Sequence, residues 1–414
     1  MPLEHPMPPD VRQASLGRPV IALVAGEDSG DVLGADLVRA LRRRYPQAHL
    51  LGIGGPRMVA AGFEAWHDIS ELSVMGLAEV LTHLPRLLRL RQRLGSRLLA
   101  LQPDLFVGID APDFNLGLER RLKRAGIRTA HYVSPSIWAW RQGRAQGIGQ
   151  SADRVLCLLP MEPAIYARHG VDARFVGHPL ADAFAMQPDR AAARNALGLP
   201  ADGPVLAVLP GSRGSEIERL GAPFLDAAQR VAVAIPGLRV IVPAANPRCH
   251  AKLQTLFDRQ AGDAPGPRSA VPGPRLLSGH AREALIAADL VLVASGTAAL
   301  ESMLAKRPMV VGYRLAPLSY RLVRALRLLK TDRYSLPNVL AGRALVPELM
   351  QDECRAEPLA QALLALWRDA PRREAMVAEF GELHAQLLGG RDGNAADHAA
   401  HALAALLETE DAAR

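Results

Sequence analysis

Ser295, Gly296 and Thr297 form a short turn whose residue types suit phosphate binding. The apolar run 290–294 before them predicts a buried strand, and the alanine-rich run after them predicts a helix. The turn is therefore expected at a helix N-terminus, where unpaired N–H groups and the positive end of the helix dipole attract anions. Glu301, about one helical turn further, can reach a sugar attached to that phosphate. An ordinary Ser or Thr N-cap explains the same turn without a ligand.

Arg213 follows a second turn of small residues, after the predicted strand 205–209. A guanidinium beside a diphosphate forms charge-assisted hydrogen bonds and stabilises the growing charge of a phosphate leaving group. A surface salt bridge is the alternative role for this arginine.

Acidic side chains follow two other predicted strands. Glu27 comes after the first strand of the chain and Asp110 after the strand 104–109. Ligands of α/β proteins bind at the carboxyl ends of parallel strands, so Asp110 is a candidate general base and Glu27 a candidate partner. Asp110 can instead cap the helix that follows it. Two histidines, His131 and His178, compete with Asp110 for the role of base.

Further polar groups lie in loops after predicted strands. Two tryptophans and an arginine in the loop 134–141 can clamp a substrate or, equally, close the top of a domain. Asn338 ends a Ser-Leu-Pro-Asn loop in the second half, and its role stays open. The candidates for acceptor or loop contacts in the first half are Ser29, Asp113, Ser134, Trp138 and Arg141.

Strands and helices alternate along the chain in two series, which predicts an α/β fold with parallel sheets. A stretch rich in Pro, Asp, Ala and Gly separates the series and reads as an interdomain linker. We expect two Rossmann-like domains facing one another across a cleft that holds the nucleotide-sugar site. The predicted divisions are a disordered tail at 1–18, a first domain at 19–187, a linker at 188–203, a second domain at 204–365, and helices at 366–414 that can pack back on the first domain.

Composition limits the classes of function. The 414 residues have a formal net charge of +7, which admits nucleic acid, an anionic membrane or anionic substrates as partners. The three cysteines are far apart and indicate neither a zinc site nor a disulfide framework. The chain shows no Walker A loop and no complete GxGxxG motif, so a hydride-transfer enzyme is disfavoured. No Asp-x-Asp motif indicates a metal, and no apolar run is long enough to span a membrane.

The segment 72–101 combines apolar and basic residues. Its second part has leucines at helical spacing with arginines between them, which is typical of an amphipathic basic helix. Such a helix can face the protein core with a solvated arginine face, or it can bind anionic headgroups. The residues predicted to face a membrane are Val74, Met75, Leu77, Arg86, Arg89 and Arg93.

Seven motifs follow one another in order along most of the chain. They are Ala25-Gly26-Glu27 with Ser29-Gly30-Asp31, Gly54-Gly55-Pro56-Arg57-Met58, Gly108-Ile109-Asp110-Ala111-Pro112-Asp113-Phe114-Asn115, Tyr132-Val133-Ser134-Pro135-Ser136 with Trp138-Ala139-Trp140-Arg141, Leu209-Pro210-Gly211-Ser212-Arg213, Ser295-Gly296-Thr297-Ala298-Ala299-Leu300-Glu301, and Ser335-Leu336-Pro337-Asn338. Together they resemble the lipid-A-disaccharide synthase family of inverting glycosyltransferases with GT-B architecture. Asp28, where relatives usually carry a small or hydroxyl residue, and the loop 258–273 depart from the family's pattern.

The resemblance implies transfer of 2,3-diacylglucosamine from UDP to the 6-hydroxyl of 2,3-diacylglucosamine 1-phosphate. It assigns the base to Asp110 with help from Glu27, the diphosphate to Arg213 and the 295–297 turn, ribose to Glu301, and a cleft loop to Asn338. It requires no cofactor. Because both substrates carry acyl chains, it also implies a cytoplasmic protein that binds the inner face of the inner membrane of a Gram-negative bacterium.

Two other functions stay open at this point. One is another UDP-sugar transferase or epimerase of GT-B architecture, which would act on unacylated substrates. The other is a non-catalytic basic protein that binds membranes or nucleic acid; the nucleotide-binding turns argue against it, and we expect no nucleic-acid partner. An oligomer is possible, and the sequence does not specify acyl-chain length or domain closure.

Overall fold

The computed structural model describes residues 18–72, 77–140, 143–262, 273–316, 333–390 and 392–408. These residues form two compact units. The first contains the described residues up to Asp182 and those from Leu387 onward, and the second runs from Ala183 to Gln386. The first unit is therefore built from both ends of the chain.

The first unit contains a parallel sheet between helices. Within the described part of the chain, the five inner strands are almost entirely buried, as expected for parallel strands covered by helices, whereas the two edge strands, Glu64–Asp68 and Ala173–Phe175, are partly exposed. The strands are β1 (Val20–Ala25), β2 (His49–Gly54), β3 (Glu64–Asp68), β4 (Leu105–Ile109), β5 (Arg128–Tyr132), β6 (Arg154–Cys157) and β7 (Ala173–Phe175). The helices are α1 (Asp28–Arg44), α2 (Pro56–Ala60), α3 (Leu77–Leu101), α4 (Pro112–Arg124), α5 (Ile137–Trp140), α6 (Arg144–Gly149), α7 (Glu162–Ala167) and α8 (Pro179–Ala183).

The second unit repeats this arrangement with a second parallel sheet. Its strands are β8 (Val205–Leu209), β9 (Arg239–Ala244), β10 (Arg275–Ser278), β11 (Leu290–Ala294), β12 (Met309–Tyr313) and β13 (Glu348–Met350). Its helices are α9 (Arg190–Ala196), α10 (Gly214–Ala234), α11 (Pro247–Gly262), α12 (Ala281–Ala287), α13 (Thr297–Leu304), α14 (Leu336–Ala341), α15 (Ala356–Arg368) and most of α16 (Ala370–Leu388), and the chain then returns to the first unit as α17 (Ala395–Glu408).

The strand order reverses once in each sheet. Within the described residues the orders are β3-β2-β1-β4-β5-β6-β7 and β10-β9-β8-β11-β12-β13. The order changes direction between β1 and β4 in the first sheet and between β8 and β11 in the second. From each of these points, the chain connections run outward to opposite sides of the sheet. In open α/β sheets such a switch point is where ligands bind, at the carboxyl ends of the strands. The predicted pair of Rossmann-like α/β folds is confirmed.

The segment predicted as a linker is part of the second unit. It contains α9, which Asp189 caps by accepting from the Ala192 N–H at 2.9 Å. Arg194 of this helix is 1% exposed and donates to Asp289 at 2.9 Å and to the Ala287 carbonyl at 3.0 Å. Part of this polar segment is therefore packed into the second unit, where Arg194 is buried.

The helix α17 packs beside α1 on one face of the first sheet, next to β5 and β6. Its apolar side chains join the core cluster that contains residues of β1, β4 and β5. The Ala395 N–H donates to Asp182 at 2.9 Å, and Arg154 of β6 donates to the Ala402 carbonyl at 2.5 Å. The C-terminal segment thus completes the core that the N-terminal strands begin.

Candidate active site

Glu27 and Asp110 follow the two strands that flank the switch point of the first sheet. The last paired residues of β1 and β4 are Ala25 and Ile109, so the two acidic residues emerge side by side at one edge. A Cβ atom added to Gly26 would lie 2.3 Å from the Ala111 Cβ, which shows how closely the two turns pack. Glu27 is exposed and Asp110 is half-buried.

The backbone at Asp110 is held in a strained conformation. Asp110 and Ala111 both have positive φ, 53° and 43°, which is uncommon for residues other than glycine. The Asp110 N–H donates to the Tyr132 carbonyl at 2.8 Å, and its carbonyl accepts from Asn115 Nδ2 at 2.9 Å. Among the described residues nothing donates to the Asp110 carboxylate. The turn therefore fixes Asp110 by its backbone and leaves its carboxylate available to a substrate.

The two rival histidines are poorly placed as bases. His131 is 0% exposed, and its Nδ1 lies 2.7 Å from Oε1 of Glu119, which is equally buried. Burial raises the pKa of Glu119, and the charge of His131 opposes that rise. His178 accepts the Leu180 N–H on Nδ1 at 3.2 Å, and burial lowers its pKa to about 4. An inaccessible imidazole and a weakly basic one leave Asp110 as the stronger candidate.

The remaining candidates of the first half have mixed surroundings. Ser29 and Asp113 are exposed near the acidic pair, and Arg91 donates to the Asp113 carbonyl at 3.3 Å. Ser134 is 7% exposed, with Oγ 2.9 Å from the Tyr166 hydroxyl. Trp138 packs half-buried against a separate apolar cluster. Arg141 lies outside the described residues.

Asp31 is a structural acid that the sequence interpretation missed. It is 3% exposed and accepts hydrogen bonds from the N–H groups of Gly55, Arg57 and Met58 at 2.9, 3.0 and 3.1 Å. These are the unpaired donors at the start of α2, so Asp31 of α1 caps a neighbouring helix. Its presence in the Ser29-Gly30-Asp31 motif was the available signal.

The turn after β11 has the geometry predicted for an anion site. Gly296, the N-cap residue of α13, has φ 148°, which favours glycine, and an added Cβ would meet nothing within 4 Å. Gly296 has no side chain to cap this helix, and among the described residues nothing accepts a hydrogen bond from the N–H of Gly296 or Thr297, so these groups are available within that part of the chain. Gly296 and Thr297 are exposed, whereas Ser295 is half-buried and donates its hydroxyl to the Tyr334 carbonyl at 3.0 Å.

Glu301 lies one turn further along α13 and is half-buried. Burial raises its pKa, and the nearby charge of Arg282 opposes that rise. A partly desolvated carboxyl beside an open helix N-terminus can accept hydrogen bonds from sugar hydroxyls.

The turn after β8 already holds an acidic side chain. The N–H groups of Ser212 and Arg213 donate to Glu216 Oε2 at 2.9 and 3.2 Å. Glu216 therefore takes up the N–H groups of Ser212 and Arg213 in this turn, and the exposed Arg213 side chain, the group that the sequence suggested for a phosphate, is left to reach an anion. A Glu three residues after an N-cap is a known capping pattern that could have predicted this.

Asn338 is held by protein groups on both ends of its amide. It is 2% exposed; Oδ1 accepts from the Leu345 and Val346 N–H groups at 2.8 Å, and Nδ2 donates to Glu348 at 2.7 Å. The sequence made Asn338 a candidate for UDP-sugar binding with its role open, and in the structure its amide shapes the loop. Glu348, which the sequence interpretation missed, has no sequence pattern that marks it.

The segment predicted to face a membrane is partly described. In α3, Leu90, Leu94 and Leu98 are buried in the first unit, as the core-facing alternative requires. Leu84 and Leu88 are 42% and 44% exposed. Arg86, Arg89 and Arg93 are exposed, and Arg86 donates to the Glu71 carbonyl at 2.8 Å. Val74, Met75 and the side chain of Leu77 lie outside the described residues.

The described residues contain neither a metal-binding cluster nor a helix that could cross a membrane. No group of three or more His, Cys, Asp or Glu side chains among them is arranged to hold a metal ion. In the same residues, no helix combines the length and apolarity that crossing a bilayer requires.

Comparison with known proteins gives one consistent family. The model of a family described as lipid-A-disaccharide synthetase matches residues 21–401. The lipid-A-disaccharide synthase of Xanthomonas campestris pv. campestris strain 8004 is 57% identical over 94% of this chain and 87% of its own length. The enzyme of the same name from Xylella fastidiosa strain M12 is 55% identical over 94% of this chain and 98% of its own.

Solved structures extend the similarity to a wider fold group. The UDP-GlcNAc 2-epimerase of Neisseria meningitidis, solved with UDP-GlcNAc bound, aligns with a TM-score of 0.57 over 90% of this chain and 100% of its own. The two sequences are 11% identical, so this likeness concerns the fold.

Proposed function

This chain belongs to the lipid-A-disaccharide synthase family, and we propose that it joins two acylated glucosamine units. It is a glycosyltransferase of lipid A biosynthesis. The donor is UDP-2,3-diacylglucosamine, the acceptor is 2,3-diacylglucosamine 1-phosphate, and the products are UDP and the β-1,6-linked disaccharide 1-phosphate. The observations that support this most are made within each unit: an acidic turn follows the switch point of the first sheet, and a glycine N-cap at a helix N-terminus follows the switch point of the second.

Asp110 acts as the general base in this proposal. Inversion at the anomeric carbon requires the acceptor 6-hydroxyl to lose its proton as its oxygen attacks the face opposite UDP. The strained, backbone-anchored turn holds the Asp110 carboxylate in place without engaging its oxygens. Glu27, exposed on the adjacent turn, orients the acceptor.

The second unit binds the leaving group. The free N–H groups at Gly296 and Thr297 and the guanidinium of Arg213 stabilise the charge that develops on the UDP phosphate as the glycosidic bond breaks. Glu301 accepts from the ribose hydroxyls. These roles need charge and hydrogen bonding but no metal.

Membrane association is part of the proposal because both substrates carry acyl chains. Exposed leucines and arginines lie together on α3, with Leu84 and Leu88 beside Arg89 and Arg93. Apolar side chains flanked by arginines suit the boundary of an anionic leaflet. We place the protein on the cytoplasmic face of the inner membrane.

The test is release of UDP by the purified full-length protein in detergent. We expect release from UDP-2,3-diacylglucosamine to require the monosaccharide 1-phosphate and to yield a disaccharide. Turnover of an unacylated UDP-sugar at the same rate, or epimerisation without an acceptor, would contradict the proposal in favour of another enzyme of this fold.

Asp110→Asn tests the proposed base. A positioned base contributes about 10²–10⁴ in rate, so we expect kcat to fall at least about 100-fold while the affinity for UDP stays within about twofold. Asp202→Asn, at an exposed position of the second unit, is the control and should retain normal turnover. Normal kcat in Asp110→Asn would exclude Asp110 as the base.

A further inference from the structure

Glu348 lies at the centre of a hydrogen-bond network beside the edge strand β13 of the second sheet. It is the first residue of β13, and its carboxylate accepts four hydrogen bonds. Oε2 accepts the Tyr334 N–H at 3.0 Å; Oε1 accepts the Ser335 N–H at 2.8 Å, the Ser335 hydroxyl at 2.5 Å and Asn338 Nδ2 at 2.7 Å. Both oxygens are therefore occupied by donors from one short segment.

Asn338 locks the same segment from its other side. Its Nδ2 also donates to the Val346 carbonyl at 2.9 Å, while its Oδ1 holds the Leu345 and Val346 N–H groups. The chain reverses at Gly342, which has φ 67°. Hydrogen bonds to the Glu348 carboxylate and to the Asn338 amide thus hold the two ends of the segment 334–348 together.

This segment contacts the turn after β11 through Tyr334. The Tyr334 N–H donates to Glu348, and the Tyr334 carbonyl accepts a hydrogen bond from the Ser295 hydroxyl at 3.0 Å. The Ser295 N–H donates to the Gly312 carbonyl of β12 at 3.2 Å. Ser295 is therefore held by its backbone and its side chain immediately before Gly296, the N-cap of α13.

The orientation of Ser295 determines which groups of the turn face a ligand. Since its hydroxyl proton points to Tyr334, Ser295 anchors the turn, and the exposed N–H groups of Gly296 and Thr297 remain for an anion. Preorganised donors bind a diphosphate better than mobile ones because no ordering is required on binding.

We propose that Glu348 is a positioning residue for the diphosphate of the nucleotide sugar, acting through Tyr334 and Ser295. This inference rests on the proposed function insofar as it takes the 295–297 turn to bind the donor's phosphates. A carboxylate suits the role because it offers acceptors alone, and all of its partners are donors.

Glu348→Gln is the direct test. The amide keeps the size of the side chain but turns one acceptor into a donor, which leaves backbone N–H groups of Tyr334 or Ser335 unpaired. We expect the Kd for UDP, measured by calorimetry on the full-length protein, and the KM for the donor to rise roughly tenfold. The KM for the acceptor should change less than about twofold.

Glu353→Gln is the matched control, since Glu353 is exposed just beyond the same strand. It should leave both constants unchanged. A folded Glu348→Gln protein with unchanged Kd for UDP, or with donor and acceptor KM raised equally, would overturn the positioning role.

Ser295→Ala keeps the test decisive if Glu348→Gln does not fold. It removes the link from the turn to Tyr334 and leaves the Glu348 network intact, so the Kd for UDP should again rise. If both variants fold, the Kd for UDP of the double variant should be no higher than that of the single variant that binds UDP more weakly. The two substitutions break the same chain of contacts, so their effects should not add. Unchanged UDP affinity in Ser295→Ala, or additive losses in the double variant, would contradict the proposal.

These outcomes are separable from failure of the proposed function. UDP binding requires neither an acceptor nor acyl chains. A wild-type protein that binds UDP but forms no disaccharide would refute the proposed reaction. The positioning role of Glu348 would still be tested by comparing the Kd for UDP of the wild type with that of Glu348→Gln.

Discussion

Glu162 is a buried acid whose surroundings favour its protonated form. It is 2% exposed beside the Ser134 and Tyr166 hydroxyls, and its Oε2 accepts the Leu159 N–H at 3.1 Å. Burial raises its pKa to about 7, although the hydrogen bonds to Leu159 and Ser134 oppose this rise. The folded protein therefore keeps a proton on Glu162 that the unfolded chain releases above about pH 4.5.

This difference predicts how stability depends on pH. Because the folded state binds the extra proton, the contribution of Glu162 is fully present at or below about pH 4.5 and is lost as pH rises to about 7, by on the order of 3 kcal/mol. Glu162→Gln should abolish that loss, so its Tm relative to the wild type should increase between pH 5 and pH 7.5. Glu382→Gln, at an exposed site, should show a constant difference, and a constant difference for Glu162→Gln as well would refute the assignment.

Single residues were the hardest part to predict from sequence. The place of Asp110 after a strand followed from its local pattern, and the structure puts it at a switch point. The pairing of His131 with Glu119 and of Asn338 with Glu348 could not be predicted, because each depends on a partner brought by another element. Polar residues that looked available for catalysis are therefore used for packing.

At the level of elements, the contact between Gly26 and Ala111 couples the turn of Glu27 to that of Asp110. Gly26→Ala would place two Cβ atoms 2.3 Å apart and force one turn to move. We expect a loss of about 1–3 kcal/mol in stability and a reduced kcat, since overpacking displaces the backbone that holds Asp110. Thermal unfolding and UDP-release assays measure both effects.

The reciprocal change tests this contact directly. Ala111→Gly removes the clashing Cβ and suits the positive φ of that residue, so Gly26→Ala with Ala111→Gly should recover part of the stability and kcat. Gly381→Ala, in α16 with nothing near the added Cβ, is the control and should be neutral or mildly stabilising. A double variant no better than Gly26→Ala would show that the contact does not position the turn.

The strand-to-helix turns were predictable because each is encoded within about a dozen residues. The turns differ in which neighbouring side chains bind their backbone N–H groups, and the local pattern did not predict this. In the turn after β8, Glu216 accepts backbone N–H groups, whereas no acidic side chain among the described residues does so in the turn after β11, although both turns contain glycine and serine. A glycine-rich turn thus predicts the shape of an anion site, while its capping residue decides whether the site is free.

At the scale of the whole molecule, membrane binding should depend on the exposed arginines of α3. Each basic residue near an anionic surface contributes about 1 kcal/mol, so Arg89→Glu with Arg93→Glu should weaken binding to vesicles of anionic lipid at least about tenfold. Added salt should weaken wild-type binding in the same direction.

Co-sedimentation with anionic and neutral vesicles measures this effect. Arg239→Glu with Arg372→Glu changes the net charge equally at exposed sites of the second unit and should leave binding nearly intact. Equal loss in both double variants would point to net charge rather than to a surface on α3.

The return of α17 to the first unit has a consequence for synthesis on the ribosome. When the first 182 residues have emerged, every strand of the first sheet exists and α1 packs on it, but α17, which completes the same apolar cluster beside α1, β5 and β6, does not. The second unit, Ala183 to Gln386, is contiguous and can close as soon as it is made. The nascent chain must therefore carry an incomplete apolar cluster until α17 is made. The second unit can finish folding before the first, and chains that are truncated before α17 leave part of that cluster exposed.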